Sequence, residues 1–240
     1  MAVRFNPALP NQNLQLLLDA SNPRSYPGTG TTWSDVSGNR RDFVWNGTGG
    51  ASFTSSGQAS YFSTSGTRAQ GPASNSFGIT NGSGYTIFAV SATLVDNANS
   101  MFKFYNASSA VDSTSRGIFV HPGWSNLTMY FDQSTCCDAD ERTQQTFTEA
   151  DMRNFRVWCF RSRLYDRSIF MNGVQSVQNV TYAANINLGS GVAHLGGSNE
   201  YGDAASNWGG RLAFFAVYNT GLDDNTVLEI SKDLMPRFGL

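Results

Sequence analysis

Residues 14–45 read LQLLLDASNPRSYPGTGTTWSDVSGNRRDFVW, and the rest of the chain is organised around them. Leu14 to Ala20 is an apolar run of strand length. Ser21 to Gly30 is a polar, turn-rich excursion holding Pro23, Pro27, Gly28 and Gly30. Proline fixes φ and glycine permits positive φ, so a long connection keeps a defined path without helix or ladder. A compact knot follows from Trp33 to Asn39, where short polar side chains can cap turn backbone and Trp33 supplies a large apolar anchor.

Outward from this stretch, residues 1–13 form an arm kept extended by Pro7 and Pro10, either a disordered terminus or a tether laid on a neighbouring subunit. Phe43 to Phe62 suggests two short strands, with Asn46-Gly47 as a hairpin turn between them. Residues 63–84 read as a long loop anchored by Phe77 and Ile79. Tyr85 to Leu94 is apolar on both faces, as expected where one face meets a second layer and the other meets covering loops. Met101 to Tyr105, Arg116 to His121 and Leu127 to Asp132 are further strands, with Asn106 to Ser115 a polar connection. Cys136 to Thr148 reads as a polar loop.

Phe155 to Arg163 and Ser168 to Asn172 make a hairpin joined at Leu164 to Arg167, and Asn172-Gly173 suits a type I′ turn into Val174 to Val177. Val192 to Gly196 and Arg211 to Tyr218 are the last strands, with Glu200 to Asn207 a surface loop between them. A single helix closes the chain. Asp223 is its N-cap candidate, Val227, Leu228, Ile230, Leu234 and Met235 trace its apolar stripe, and Pro236 ends it. About a dozen or more short strands with Gly-rich turns and one closing helix make the pattern of an all-β, two-sheet jelly roll. Composition does not shift along the chain, so residues 14–240 read as a single domain.

The chain has 240 residues, 40% of them apolar and 13% aromatic, enough to bury a real core. Net charge is −2 and no basic stripe is present, which argues against a nucleic-acid partner. No apolar run approaches the roughly 20 residues that span a bilayer. The N-terminus lacks the pattern of a signal peptide, so a protein made in the cytosol is expected. Asn-x-Ser/Thr sequons at Asn46, Asn81, Asn106, Asn126 and Asn179 then follow from an Asn/Ser/Thr-rich β sequence. Three cysteines cannot close a disulfide framework; Cys136 and Cys137 are neighbours, Cys159 sits in an apolar run, and all three read as free thiols.

The order of residues in 14–45 resembles the opening of a LamG-like, concanavalin A-type lectin/glucanase domain, of the kind found in structural proteins of tailed phages. Further phrases in the same order are similar to that family. They are His121-Pro122-Gly123-Trp124 with Tyr130-Phe131-Asp132 and Cys136-Cys137, then Arg156-Val157-Trp158 with Ile169-Phe170-Met171-Asn172-Gly173. The last are Leu195-Gly196-Gly197, Trp208-Gly209-Gly210-Arg211-Leu212 and Val217-Tyr218-Asn219. The resemblance spans residues 14–238 and implies a concanavalin A-like jelly-roll sandwich of two antiparallel sheets with one short C-terminal helix. For function it implies a non-enzymatic virion protein: a capsid decoration, head-fibre or tail-appendage module on the virion surface. Such a protein would dock on a capsid or appendage protein of the same virion and bind host-surface glycans. The alternative is a carbohydrate-binding or glycosidase-related surface protein outside any virion. A homo-oligomer is compatible with both.

The related glucanases carry a Glu-x-Asp-x-(x)-Glu strand motif, and paired carboxylates are what glycoside hydrolysis needs. Glu149-Ala150-Asp151 is the nearest approach and supplies no second Glu. A Ser-His-Asp reading has only His121 and His194 to draw on, and Asn187-Leu188-Gly189-Ser190-Gly191 lacks the nucleophile-elbow spacing. No catalytic residue and no cofactor are therefore expected. LamG-like domains often hold Ca²⁺ through an Asp and loop carbonyls, which makes Asp138 and Asp140, beside Asp132 and Glu141, the candidate ligands. The competing reading is a solvated acidic loop. Vicinal thiols at Cys136 and Cys137 do not suit a tetrahedral zinc site with His121.

The candidate glycan ligands are His121, Trp124, Tyr130 and Asp132. A sugar site stacks an aromatic ring on the apolar face of the sugar and aims a polar side chain at its hydroxyls. The competing reading makes Trp124 and Tyr130 packing residues and Asp132 a turn cap. Trp33 and Trp208, each beside glycine turns, read as structural anchors.

Overall fold

The computed structural model describes residues 9–46, 51–65, 67–80, 83–97, 99–105, 116–134, 141–163, 166–181, 186, 188–197 and 208–240. The strands are β1 (Leu14–Asp19), β2 (Thr32–Trp33), β3 (Phe43–Asn46), β4 (Ser52–Thr54), β5 (Tyr61–Ser63) and β6 (Arg68–Ala73). β7 (Tyr85–Thr93), β8 (Phe102–Tyr105), β9 (Arg116–His121), β10 (Thr128–Gln133) and β11 (Arg142–Thr146) follow. After the one-turn helix α1 (Glu149–Arg153) come β12 (Arg156–Ser162), β13 (Arg167–Met171), β14 (Val174–Asn179), β15 (Val192–Leu195), β16 (Gly210–Tyr218) and helix α2 (Asp224–Leu234).

They form two antiparallel sheets, the expected concanavalin A-like sandwich. The first runs β14-β13-β12-β7-β16-β5-β4, with β1 also paired to β16; the second runs β11-β10-β9-β8-β15-β6-β3-β2. β16 is the spine of the first sheet. One of its edges pairs with β7 throughout, while the other is shared, by β5 at Arg211 and Leu212 and by β1 from Phe214 to Tyr218. A register shift between Leu212 and Phe214 marks the handover, and there the Ala213 carbonyl accepts from the Ala20 N–H at 2.9 Å.

The knot after β2 holds β1 in that place. Asp35 Oδ1 accepts from the N–H of Leu17 (3.0 Å) and Ser37 (2.8 Å), and Oδ2 accepts from the N–H of Arg41 (3.0 Å). Asn39 Nδ2 donates to the Leu14 carbonyl at 3.0 Å, and Arg41 donates to the carbonyls of Gln15 and Ser76. One carboxylate thus satisfies the backbone of a turn and of the neighbouring strand together, the arrangement a buried polar chain requires. Trp33 below it is fully buried, as is Trp208.

The main core lies between the sheets, with Leu16, Ile87, Phe102, Phe131, Phe160 and Phe215 among its members. A second cluster lies on the outer side of the first sheet, where Phe88, Val90, Cys159, Phe170, Phe214 and Tyr218 meet Val227, Ile230 and Leu234 of α2. This accounts for the two apolar faces of β7 and corrects one expectation: α2, rather than loops, covers the outer one. Asp223 caps α2 as expected, accepting from the Thr226 N–H at 2.9 Å. Cys159 is free and buried, and burial pushes its thiol pKa well up. Cys136 and Cys137 lie outside the described residues.

Other expectations are corrected. Asn46-Gly47 does not join a hairpin, because β3 pairs with β2 and β6 in one sheet while β4 pairs with β5 in the other. The stretch 63–84 is not all loop, since β6 bridges β15 and β3. Phe77 and Ile79 are buried as anchors. Gly71 in β6 is dictated by packing: a Cβ there would lie 2.3 Å from the Phe43 ring. The stretch 136–148 contains β11. Glu149-Ala150-Asp151 lies in α1, closed by a capping box in which Thr148 and Asp151 exchange side chain-to-backbone bonds. The Asn172-Gly173 turn is as expected, with φ of 53° and 81° at its two positions.

Candidate functional site

Side chains alternate across a strand, so each strand of the second sheet sends half its residues away from the core. Phe102, Phe104, Ile118, Val120, Met129 and Phe131 point inward. Lys103, Tyr105, Phe119, His121, Tyr130 and Asp132 therefore share the outward face. Register aligns them across the whole sheet in one row: Arg142, Asp132, Phe119, Lys103, His194, Gln70, Val44 and Thr32. The adjacent row holds Gln144, Tyr130 and His121.

Three of the four residues expected to bind a glycan come together at one end of that face. Trp124 in the β9–β10 turn packs edge-on against His121 (centroids 5.4 Å apart) and Tyr130 (5.6 Å). Trp124 and Tyr130 are half-buried, whereas His121 is buried, its Nδ1 3.2 Å from Ser100 Oγ. The fourth, Asp132, does not present itself to a ligand and does not cap a turn. It is fully buried, and its carboxylate accepts from Arg142 Nε and Nη2, both at 2.6 Å. The bidentate pair places the Arg142 guanidinium 4.4 Å from the Tyr130 ring centroid. Arg142 keeps 19% of its side chain exposed, so its desolvation cost is partial. Asp132 is thus a positioning residue, and Arg142, Tyr130 and Trp124 form the solvent-side ledge. Gln144 and Thr146 of β11 are exposed beside it.

Further along the row, Lys103 is 2% exposed, with Nζ 4.7 Å from the Tyr105 ring centroid and 5.6 Å from that of Phe119. His194 is 6% exposed and its Nδ1 lies 3.1 Å from Tyr105 Oη. Burial, then the positive charges of Arg68 and Lys103, pull the His194 pKa down to about 3. So low a proton affinity makes His194 a poor match for general acid–base work near pH 7.

Asp138 and Asp140 lie outside the described residues. Among the described residues no group of three or more His, Cys, Asp or Glu side chains could hold a metal ion. The two described carboxylates with no exposed surface are both ion-paired, Asp132 to Arg142 and Asp19 to Arg237. Sequence reading missed Arg142 because β11 is polar throughout; the two-residue spacing of Tyr130 and Asp132 on a strand was the signal that something shares their face.

No protein-family model matches the chain, and no curated protein does. Solved structures do match. A Trypanosoma rangeli sialidase mutant displaying trans-sialidase activity is 13% identical, with a TM-score of 0.64, over 95% of this chain and 34% of that one. A botulinum neurotoxin serotype D/C binding domain is 13% identical, with a TM-score of 0.68, over 93% of this chain and 53% of that one. Domain 4 of a GH43 extracellular arabinanase from Geobacillus stearothermophilus, in complex with arabinotriose, is 12% identical, with a TM-score of 0.65, over 91% of this chain and 98% of that one. At these identities the likeness is one of fold, a two-sheet β-sandwich. The chain spans about a third of the sialidase and half of the toxin domain, and nearly all of the arabinanase domain.

Proposed function

We propose that this chain is a non-enzymatic, lectin-like module that binds glycans on the outward face of its second sheet. The observation that carries the reading is the Trp124–Tyr130 ledge with Arg142 fixed over Tyr130. Two half-buried rings offer apolar surface to a sugar, and a guanidinium with the exposed Gln144 and Thr146 offers polar partners for hydroxyls. The arabinanase domain, of matching length and fold, was solved with arabinotriose, which makes an oligosaccharide a reasonable first probe. The non-enzymatic part rests on the acids. Glycoside hydrolysis needs two carboxyl groups facing one sugar bond, and the buried Asp132 and Asp19 are each held in an ion pair with an arginine instead.

For its setting we propose the surface of a phage particle, with the module docked on another virion protein. The resemblance of residues 14–45 and of the later phrases to domains of phage structural proteins supports this. The test is a glycan array on the purified chain beside Trp124→Ala, with peptide mass spectrometry of particles from the source. Binding lost in Trp124→Ala with an unchanged melting temperature is expected. An array without hits ends the glycan reading, and absence from particles ends the virion one.

A further inference from the structure

The two rings of the ledge make a corner, not a platform. The planes of Trp124 and Tyr130 meet at 77° with centroids 5.6 Å apart, so a sugar lying flat on one ring stands edge-on to the other. One face of Tyr130 is already taken, because the Arg142 guanidinium sits 4.4 Å from its centroid. The buried His121 packs against Trp124 at 90°, so the indole is oriented before any ligand arrives. The ground around the corner is closed on the side of the sheet. Lys103, Tyr105, Phe119 and His121, which face outward from β8 and β9, are each at most 2% exposed. Along β11 the Arg142 guanidinium, held by Asp132, stands over the Tyr130 ring and ends the ledge. The open side lies over Gln144 and Thr146, both exposed on β11, the last strand of its sheet.

We propose that this corner takes one sugar, the non-reducing terminal residue of a glycan, with the rest of the chain leaving across the open edge of β11. The inference rests on the glycan reading of the Trp124 ledge and names the part of the glycan that is read. A sugar inside a chain is linked on both sides and needs two exits. An interior stretch also gains affinity by laying successive sugars on successive rings. The corner has one exit and one ring plane on which to stack, that of Trp124. A terminal sugar needs a single exit, and it presents a hydroxyl where an inner sugar carries its next linkage. The guanidinium of Arg142 and the side chains of Gln144 and Thr146 stand beside the rings as polar partners for such hydroxyls. The non-reducing end keeps one fixed ring form, whereas a free reducing end opens and recloses. It is also the end that a glycan attached to a surface holds outward.

Calorimetric titration of the full chain tests this with arabinose, galactose and glucose series. Each series comprises the methyl glycoside, the trisaccharide, the hexasaccharide, and the hexasaccharide O-methylated on its non-reducing terminal sugar. In the series that binds, the methyl glycoside and the hexasaccharide are expected to agree within about threefold, where each further sugar stacked on a ring would bring about tenfold. The O-methylated hexasaccharide is expected not to bind, and Trp124→Ala to abolish binding at every length. An affinity that climbs about tenfold or more from the methyl glycoside to the hexasaccharide overturns the terminal-sugar assignment. Binding that survives O-methylation overturns it too. Either result leaves the ledge reading standing as long as Trp124→Ala still abolishes binding. No binding in any series overturns both.

Discussion

Asp132 and Arg142 are unequal partners, and the inequality is measurable. Removing Arg142 takes the bidentate arginine from a fully buried carboxylate, whereas removing Asp132 leaves a guanidinium that already reaches solvent. Losing the partner of a buried charge costs about 3–5 kcal/mol, and the cost falls as the survivor is hydrated. Arg142→Met is therefore expected to lower the urea midpoint more than Asp132→Asn, and the reverse order would refute the assignment of Asp132 as the buried member. His194 sets a pH dependence of known sign. Its pKa falls from 6.5 to about 3 on folding, so the unfolded chain takes up the proton first as pH drops. Its contribution is complete above pH 6.5 and shrinks by about 1.4 kcal/mol per unit below it. His194→Gln removes that term. Between pH 6.5 and 4.5 the unmodified chain is expected to lose about 2–3 kcal/mol more than the variant, by denaturant unfolding at each pH. Parallel curves would mean that His194 titrates normally in the folded protein.

At the scale of elements, the turn between β13 and β14 is tied to α2. Gly173 has φ of 81°, and a Cβ there would lie 2.9 Å from Leu228 Cδ1 and 3.0 Å from Ser231 Cβ. Gly28 has φ of 93° with open space around it. Both glycine-to-alanine changes impose the backbone strain of about 1 kcal/mol, and only Gly173→Ala also displaces the helix. Thermal unfolding should show the larger loss at position 173; equal losses would mean that α2 yields freely. Sequence legibility divides along similar lines. β7, the β12–β13 hairpin and α2 were readable because period, turn residues and cap agree locally. β6 (RAQGPA) and β11 (RTQQT) were not, because neither carries β-branched apolar residues in alternation. Their strand geometry comes from neighbours, β6 from both β15 and β3, and β11 from β10.

For the molecule as a whole, the sandwich was legible and half of its outward face was not. Trp124, Tyr130 and Asp132 lie close in sequence, so their meeting could be anticipated. Arg142, Lys103 and His194 fall in one row only through the register of β11, β10, β9, β8 and β15, which no local pattern encodes. The role of Asp132 was misjudged for the same reason, since its partner stands on a strand that reads as loop. One feature of the core reaches into how such a protein can be observed. Trp33, Trp45, Trp158 and Trp208 are buried, and Trp124 alone among the tryptophans is half-exposed. Most of the intrinsic fluorescence is thus shielded from an aqueous quencher, and the quenchable fraction is the signal of a single indole at the ledge. A sugar seated there should drive that fraction toward zero, and Trp124→Phe should abolish it before any sugar is added. A quenchable fraction unchanged by Trp124→Phe would place the accessible indole elsewhere. The chain carries its own optical reporter, with four silent emitters as its internal reference.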